Sequence, residues 1–314
     1  MKWTILLFCL LLGSGSSPVQ ASAKPLVFVS ILPQRSFVEH ISGGLVDVSV
    51  MVMPGASPAT YEPTPKQMTG LAQATAYFSV GVPFENTWLP RIAEINPAME
   101  VIPTDRGISK RSMAAHEHRA GHIPVDGPGQ DHGTQGGREQ QDQNGTEGIP
   151  DPHIWLAPDL VKVQARNIRD GLVRMDPANK ATYDANMESF LKDIDRLDDR
   201  IRSILEPIPE KERLFMVFHP AWGYFAEQYD LQQIPIESEG KEPSPKQLVD
   251  IVRHGRELGI SVVFVQPQFS DSSARVIADE MGARVVALDP LAENWSENLF
   301  HAAQAFEQAL ATRR

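Results

Sequence analysis

Two adjacent stretches of the chain carry the residue types best suited to chemistry. Residues 112–150 contain no Phe, Trp or Tyr, but eight glycines, five glutamines and six acidic residues. The same stretch holds four histidines, at positions His116, His118, His122 and His132. Directly after it, residues 151–156 (DPHIWL) place His153 beside a proline and apolar residues. Imidazoles and carboxylates together bind transition metals, so this combination indicates metal handling.

The composition of residues 112–150 cannot bury a core, and we expect this histidine-rich loop to be mobile. A charged surface linker is the alternative interpretation, and it is the better one for any single loop histidine. The cluster taken together with His153 favours metal binding, since histidine is the commonest ligand of borderline metals.

The N-terminus predicts a secretory signal peptide at residues 1–23 and therefore a periplasmic protein. Lys2 is followed by an apolar stretch too short for a bilayer, which needs about 20 residues, and by an A-x-A cleavage site ending at Ala23. The only cysteine, Cys9, lies inside that stretch, so we expect neither disulfides nor thiolate ligands. Any metal must be bound by nitrogen and oxygen.

The net charge is −11, and removal of the signal makes it one unit more negative. An acidic chain is a poor candidate for binding nucleic acid or anionic lipid, since both require a basic face. The mature chain of about 290 residues is longer than one typical core supports, so two lobes are expected.

Strand and helix patterns alternate along the mature chain, which predicts an α/β fold with mainly parallel sheets flanked by helices. The predicted strands are 26–32, 46–53, 77–80, 214–218, 233–236, 260–265 and 284–288. The predicted helices are one that ends at Gly43, one that begins near Pro65, and 159–175, 179–205, 221–229, 245–258 and 270–281.

An internal repeat indicates that the two lobes are similar. The sequence EPTPKQM at 62–68 recurs as EPSPKQL at 242–248, with five of seven positions identical. We therefore predict a first lobe at 24–175, a linking helix at 176–206 and a second lobe at 207–314. Ligands of open α/β sheets bind beyond the carboxyl ends of the strands, so two facing lobes would share one cleft.

Three side chains should meet at that cleft: His153, His219 and Asp289. Two imidazoles and a carboxylate, completed by a fourth group or water, suffice for a borderline metal. Each has an alternative role, because His219 could be a hydrogen-bonded core residue and Asp289 could cap the turn at Pro290. The chain has no HExxH, GxxxxGK[ST] or GxSxG motif, and we predict that it is not an enzyme.

The sequence resembles the periplasmic receptors of zinc and manganese ABC importers over most of the mature chain. The segments that carry the resemblance are PGASP at 54–58, YEP at 61–63, the histidine-rich loop, DPHIW at 151–155, FH at 218–219, EGKEPS at 239–244, PQF at 267–269 and LDPL at 288–291. This resemblance implies two lobes joined by a long rigid helix, with the metal between them. It also implies that His153, His219 and Asp289 are the ligands. The histidine-rich loop resembles that of the zinc receptors rather than that of the manganese receptors.

The resemblance further implies a monomer that captures Zn²⁺ as transported ligand and delivers it to the membrane permease of an ABC importer. One departure is important: the family usually reads Pro-His-x-Tyr-Glu where this chain has Pro58-Ala59-Thr60-Tyr61-Glu62. Alanine has no donor atom, so the expected first ligand is missing.

Four groups could replace the missing ligand: water, Glu62, a loop histidine, or Glu239, which occupies the equivalent place in the repeat. We favour water or Glu239. Two other functions are compatible with the sequence: a receptor for another divalent metal such as Mn²⁺, Fe²⁺ or Ni²⁺, and a zinc-dependent hydrolase.

Overall fold

The computed structural model describes residues 23–113, 149–237, 241–269 and 272–311. The predicted signal peptide, the four loop histidines and Glu239 lie outside these ranges. The described residues form two four-stranded sheets with only parallel pairs, ordered β2-β1-β3-β4 and β6-β5-β7-β8. The strands are β1 (Leu26–Val29), β2 (Asp47–Val50), β3 (Ala76–Ser79), β4 (Glu100–Pro103), β5 (Leu214–Val217), β6 (Gln232–Pro235), β7 (Val262–Val265) and β8 (Arg284–Ala287).

Helices connect the strands and lie against both sheets. They are α1 (Leu32–Ser42), α2 (Pro65–Leu71), α3 (Pro83–Ile95), α4 (Pro158–Met175), α5 (Lys180–Leu205), α6 (Gly223–Gln228), α7 (Pro245–Glu257), α8 (Ser272–Met281) and α9 (Trp295–Ala311). Helices α3 and α9 have no counterpart in the sequence prediction, and α3 carries Pro90 in its interior, which interrupts its pattern. No helix within the described ranges is long and apolar enough to cross a bilayer.

The repeated sequence marks equivalent positions in the two sheets. Thr64 and Ser244 each accept a hydrogen bond from the backbone of a glutamine three residues later, whose side chain bonds back to the cap. This capping box begins the helix that follows the edge strand of each sheet, β2 and β6. The two similar α/β lobes predicted from the repeat are therefore confirmed.

The long helix α5 packs against α1 and α4 of the first lobe and against α9 of the second. Alternation along β5 divides the second sheet between two cores: Phe215 and Val217 join the core shared with the first lobe, whereas Met216 packs with α7 and α8. The lobes therefore share one continuous core, and the lobe boundaries at residues 175 and 206 remain a proposal.

Two buried tryptophans join the lobes close to the predicted cleft. The indole of Trp155 donates to the carbonyl of Pro290 over 2.7 Å, and the indole of Trp295 donates to the carbonyl of Trp155 over 2.6 Å. The Trp295 ring also packs edge-on against Phe37 of α1, with ring centroids 5.2 Å apart. Since both indoles are about 1% exposed, these contacts resist separation of the lobes.

Candidate metal site

A cavity of about 200 Å³ lies between the lobes, at the carboxyl ends of strands from both sheets. Loops after β2, β3, β4, β5, β7 and β8 all reach it, as expected for ligand sites of open α/β sheets. Its lining is Ser57, Pro58, Ala59, Val82, Pro83, Met113, Ile149, Pro150, Pro152, His153, Trp155, His219, Pro220, Gln268, Phe269, Pro290 and Leu291. Few of these residues have polar side chains, and two of the polar ones are the predicted ligands His153 and His219.

Asp151 fixes the conformation of His153. One carboxylate oxygen, Oδ1, accepts the backbone N–H of His153 over 3.0 Å and contacts its ring Nδ1 at 2.7 Å. Asp151 is almost fully buried, and the 3₁₀ turn Ile154–Leu156 follows the histidine directly. The short loop and its carboxylate therefore hold the ring with Nε2 free for the cavity.

His219 follows β5 by two residues and is held from three sides. The side chain of Gln266 accepts the backbone N–H of His219 over 3.0 Å and donates to its carbonyl over 3.1 Å. Glu237 places Oε1 at 2.5 Å from the ring Nδ1, and the ring of Phe269 stacks on the imidazole with centroids 4.6 Å apart. This second histidine is as tightly oriented as the first.

Burial lowers the pKa of the His219 imidazole below its ordinary value, because desolvation penalises the charged form. The hydrogen bond to Glu237 raises the pKa and opposes this shift only in part. The neutral ring, which is the form that binds a metal, is therefore favoured.

The Nε2 atoms of His153 and His219 lie 3.3 Å apart. With each Nδ1 beside a carboxylate, the Nε2 atoms of both neutral rings are left to bind a cation placed between them. Two nitrogens bound to one tetrahedral zinc at about 2.05 Å would lie about 3.3 Å apart. The observed spacing fits one Zn²⁺ between the two rings.

Asp289 lies two residues after β8 and is not in the cavity lining, although its neighbours Pro290 and Leu291 are. Its Oδ1 accepts hydrogen bonds from Gln268 and from the backbone N–H of Leu291. Within the described ranges, no three His, Cys, Asp or Glu side chains form a metal-binding group. The structure thus brings together His153 and His219, and it leaves Asp289 outside the cavity lining, bonded to Gln268, which does line it.

Ala59, where the sequence predicts a missing ligand, lies at the cavity. Ala59 lines it together with both histidines, whereas Glu62 is exposed and absent from its lining. The turn that contains Glu62 is held by Thr64 and Gln67, and the Gln67 amide also donates to the carbonyl of Met51.

A family model described as "ZnuA: Zinc-uptake complex component A periplasmic" matches residues 27–309. The chain belongs to this family. The "High-affinity zinc uptake system protein ZnuA" of Bacillus subtilis (strain 168) is 27% identical over 293 residues, which cover 90% of this chain and 85% of that protein. A crystal structure of ZnuA superimposes with a TM-score of 0.78 at 40% identity, covering 91% of this chain and 99% of that one.

A further relative is the "Zinc-binding protein AdcA" of Streptococcus pyogenes serotype M3 (strain ATCC BAA-595 / MGAS315), 25% identical over 295 residues. The match covers 92% of this chain but only 54% of AdcA, so this member of the ZnuA family spans about half the length of that relative.

Sequence reasoning missed the two carboxylates that orient the histidines, Asp151 and Glu237. Asp151 had a local signal, because a carboxylate two residues before a histidine can reach its ring. Glu237 had none, since it follows the neighbouring strand β6 and meets His219 only through the pairing of β5 with β6.

Both ends of the histidine-rich loop lie at the cavity. The backbone N–H of Met113 donates to the carbonyl of Ile149 over 2.9 Å, and that of Asp151 donates to the carbonyl of Arg111 over 2.8 Å. The predicted auxiliary ligands His116, His118, His122 and His132 lie outside the described residues. The described residues on either side of that segment, Met113 and Ile149, line the cavity.

Proposed function

We propose that this protein is an extracytoplasmic receptor that captures Zn²⁺ in the periplasm and delivers it to the membrane permease of an ABC importer. The single observation that carries the proposal is the pair of Nε2 atoms, His153 and His219, at a spacing that suits tetrahedral zinc. Membership of the zinc-uptake family supports it independently.

His153 and His219 bind the ion as neutral imidazoles, and Asp289 binds it as a carboxylate. The acidic histidine-rich loop raises the metal concentration at the mouth of the cavity, because its two ends lie there. The zinc ion is cargo, and the receptor acts as a monomer. The lobes stay nearly fixed on binding, since Trp155, Trp295 and α5 hold them together.

Metal analysis and titration test this function. The metal-free mature protein should bind one Zn²⁺ per chain tightly in competition with a chromophoric chelator, with weaker equivalents added by the loop. Mn²⁺, Fe²⁺ and Ni²⁺, titrated in the same way, should bind less tightly. Tighter binding of one of them would assign a different cargo, and zinc-dependent turnover of an ester or phosphate substrate would assign an enzyme instead.

Restoring a donor at position 59 should tighten zinc binding. Ala59 lines the cavity with both histidines, so a histidine in its place adds a fourth protein ligand. We expect Ala59→His to lower the Kd for Zn²⁺ at least tenfold, about 1.4 kcal/mol. Thr60→His is the matched control, because residue 60 is exposed and does not line the cavity.

The same measurement on Glu239→Gln separates the remaining candidates for the fourth position. If Glu239 already fills it, Ala59→His gains little and Glu239→Gln weakens zinc binding. If Ala59→His binds zinc much more tightly and Glu239→Gln binds it as tightly as the parent, the fourth position is assigned to water. The exposed position of Glu62 does not favour it as the ligand.

A further inference from the structure

The carboxylate of Asp289 is held on one side by two donors. Gln268 Nε2 lies 2.6 Å from Oδ1, and the backbone N–H of Leu291 donates to the same oxygen over 2.9 Å. The Asp289 carbonyl accepts from Asn298 of α9 over 2.7 Å, which fixes the backbone as well. Within the part of the chain that the structure describes, no donor reaches Oδ2. The two oxygens of this carboxylate are therefore not equivalent.

Gln268 cannot exchange this contact for another at low cost. Its Oε1 is buried and has no hydrogen-bond partner among the described residues, so the amide is satisfied only through Nε2. Turning the amide by half a rotation would place Oε1 against the carboxylate oxygen, which repels it. Gln268 also lines the cavity together with His153 and His219.

We propose that Gln268 sets the metal selectivity of the site by restricting Asp289 to coordination through Oδ2 alone. This inference rests on the proposed function, in which Asp289 is a zinc ligand. With two hydrogen bonds, Oδ1 has both lone-pair directions occupied, so the carboxylate cannot chelate an ion through both oxygens. One-oxygen coordination suits four-coordinate Zn²⁺, whereas harder ions such as Mn²⁺ favour more oxygen ligands.

Removing the amide should therefore change selectivity rather than affinity in general. In Gln268→Leu, Oδ1 loses one donor and becomes available to the metal, and a void beside it allows the carboxylate to turn. We expect the Kd for Mn²⁺ to fall and the Kd for Zn²⁺ to rise or stay constant. The ratio of the two constants should then shift at least tenfold towards Mn²⁺.

Competition titrations of the metal-free mature protein with Zn²⁺ and Mn²⁺ at one pH measure this ratio. Gln73→Leu, the same substitution at an exposed position, should leave it unchanged. Gln268→Met removes the donor with little change in length, and it should shift the ratio in the same direction if Gln268→Leu does not fold. If Gln268 only maintains the structure of the site, its replacement should weaken the binding of Zn²⁺ and Mn²⁺ in parallel. That result would overturn the inference.

The outcomes distinguish this inference from the proposed function. If the parent protein has no tight zinc site, or if its site is insensitive to His219→Ala, the proposed function fails. If zinc binding needs both histidines but Asp289→Ala leaves it unchanged, Asp289 is not a ligand and only the selectivity inference is overturned. If Asp289→Ala weakens zinc binding but neither Gln268 variant changes the ratio of the two Kd values, the selectivity inference is again the only one overturned.

Discussion

Replacing His153 or His219 by alanine should weaken the tight zinc site by about 4 kcal/mol, roughly a thousandfold in Kd. Each ring supplies one of the two Nε2 atoms that lie 3.3 Å apart, so either substitution removes one of the two nitrogen ligands. Competition titration with a chelator of known affinity measures the loss. Asp289→Asn should cost less, because an amide oxygen can still coordinate.

Matched variants separate coordination from orientation. Asp151→Asn and Glu237→Gln keep both imidazoles but weaken the acceptors on Nδ1, and such outer partners contribute about 10- to 100-fold in affinity. His254→Ala removes an exposed histidine and should change nothing. If His153→Ala and His219→Ala both bind zinc like the parent, the tight site lies elsewhere in the molecule.

Trp295→Ala should destabilise the metal-free protein by about 3–5 kcal/mol, as expected when a large buried aromatic side chain is truncated. The indole is about 1% exposed, packs edge-on against Phe37, and satisfies the carbonyl of Trp155. The variant therefore creates a cavity and also removes a hydrogen bond between the lobes. Denaturant unfolding, followed in the presence of a metal chelator, measures the change in free energy.

Two comparisons make this prediction specific to the contact between the lobes. Trp88→Ala truncates a partly buried tryptophan of α3 and should cost about 1 kcal/mol. X-ray scattering should show little change in radius when zinc is added to the parent, and a larger change for Trp295→Ala. The rigid arrangement would be contradicted if Trp295→Ala and Trp88→Ala lost equal free energies of unfolding. A large decrease in the scattering radius of the parent on zinc addition would also contradict it.

Local sequence patterns predicted most of the fold. Seven of the eight strands, all but β4, and the helix Lys180–Leu205 each depend on residues close together in the chain, and periodicity reveals such elements. The repeat then related the two lobes without any knowledge of contacts. Helix α3 was not predicted, because Pro90 in its interior interrupts the helical sequence pattern.

The residue types of the candidate site were also visible in the sequence. His153, His219 and Ala59 were placed at strand ends or in motifs, and all three line one cavity. The two histidines alone predict a site for a borderline metal, bound by nitrogen and oxygen in a chain whose only cysteine is Cys9.

Only the tertiary structure decided how these residues are held. The 3.3 Å spacing of the rings, the carboxylate of Glu237 on His219 and the amide of Gln268 on Asp289 all join residues that are distant in the chain. Such contacts depend on which strands pair and on how the lobes pack through Trp155 and Trp295. Sequence periodicity reports which face of an element is buried, but not what lies opposite it, because that is set by packing between elements.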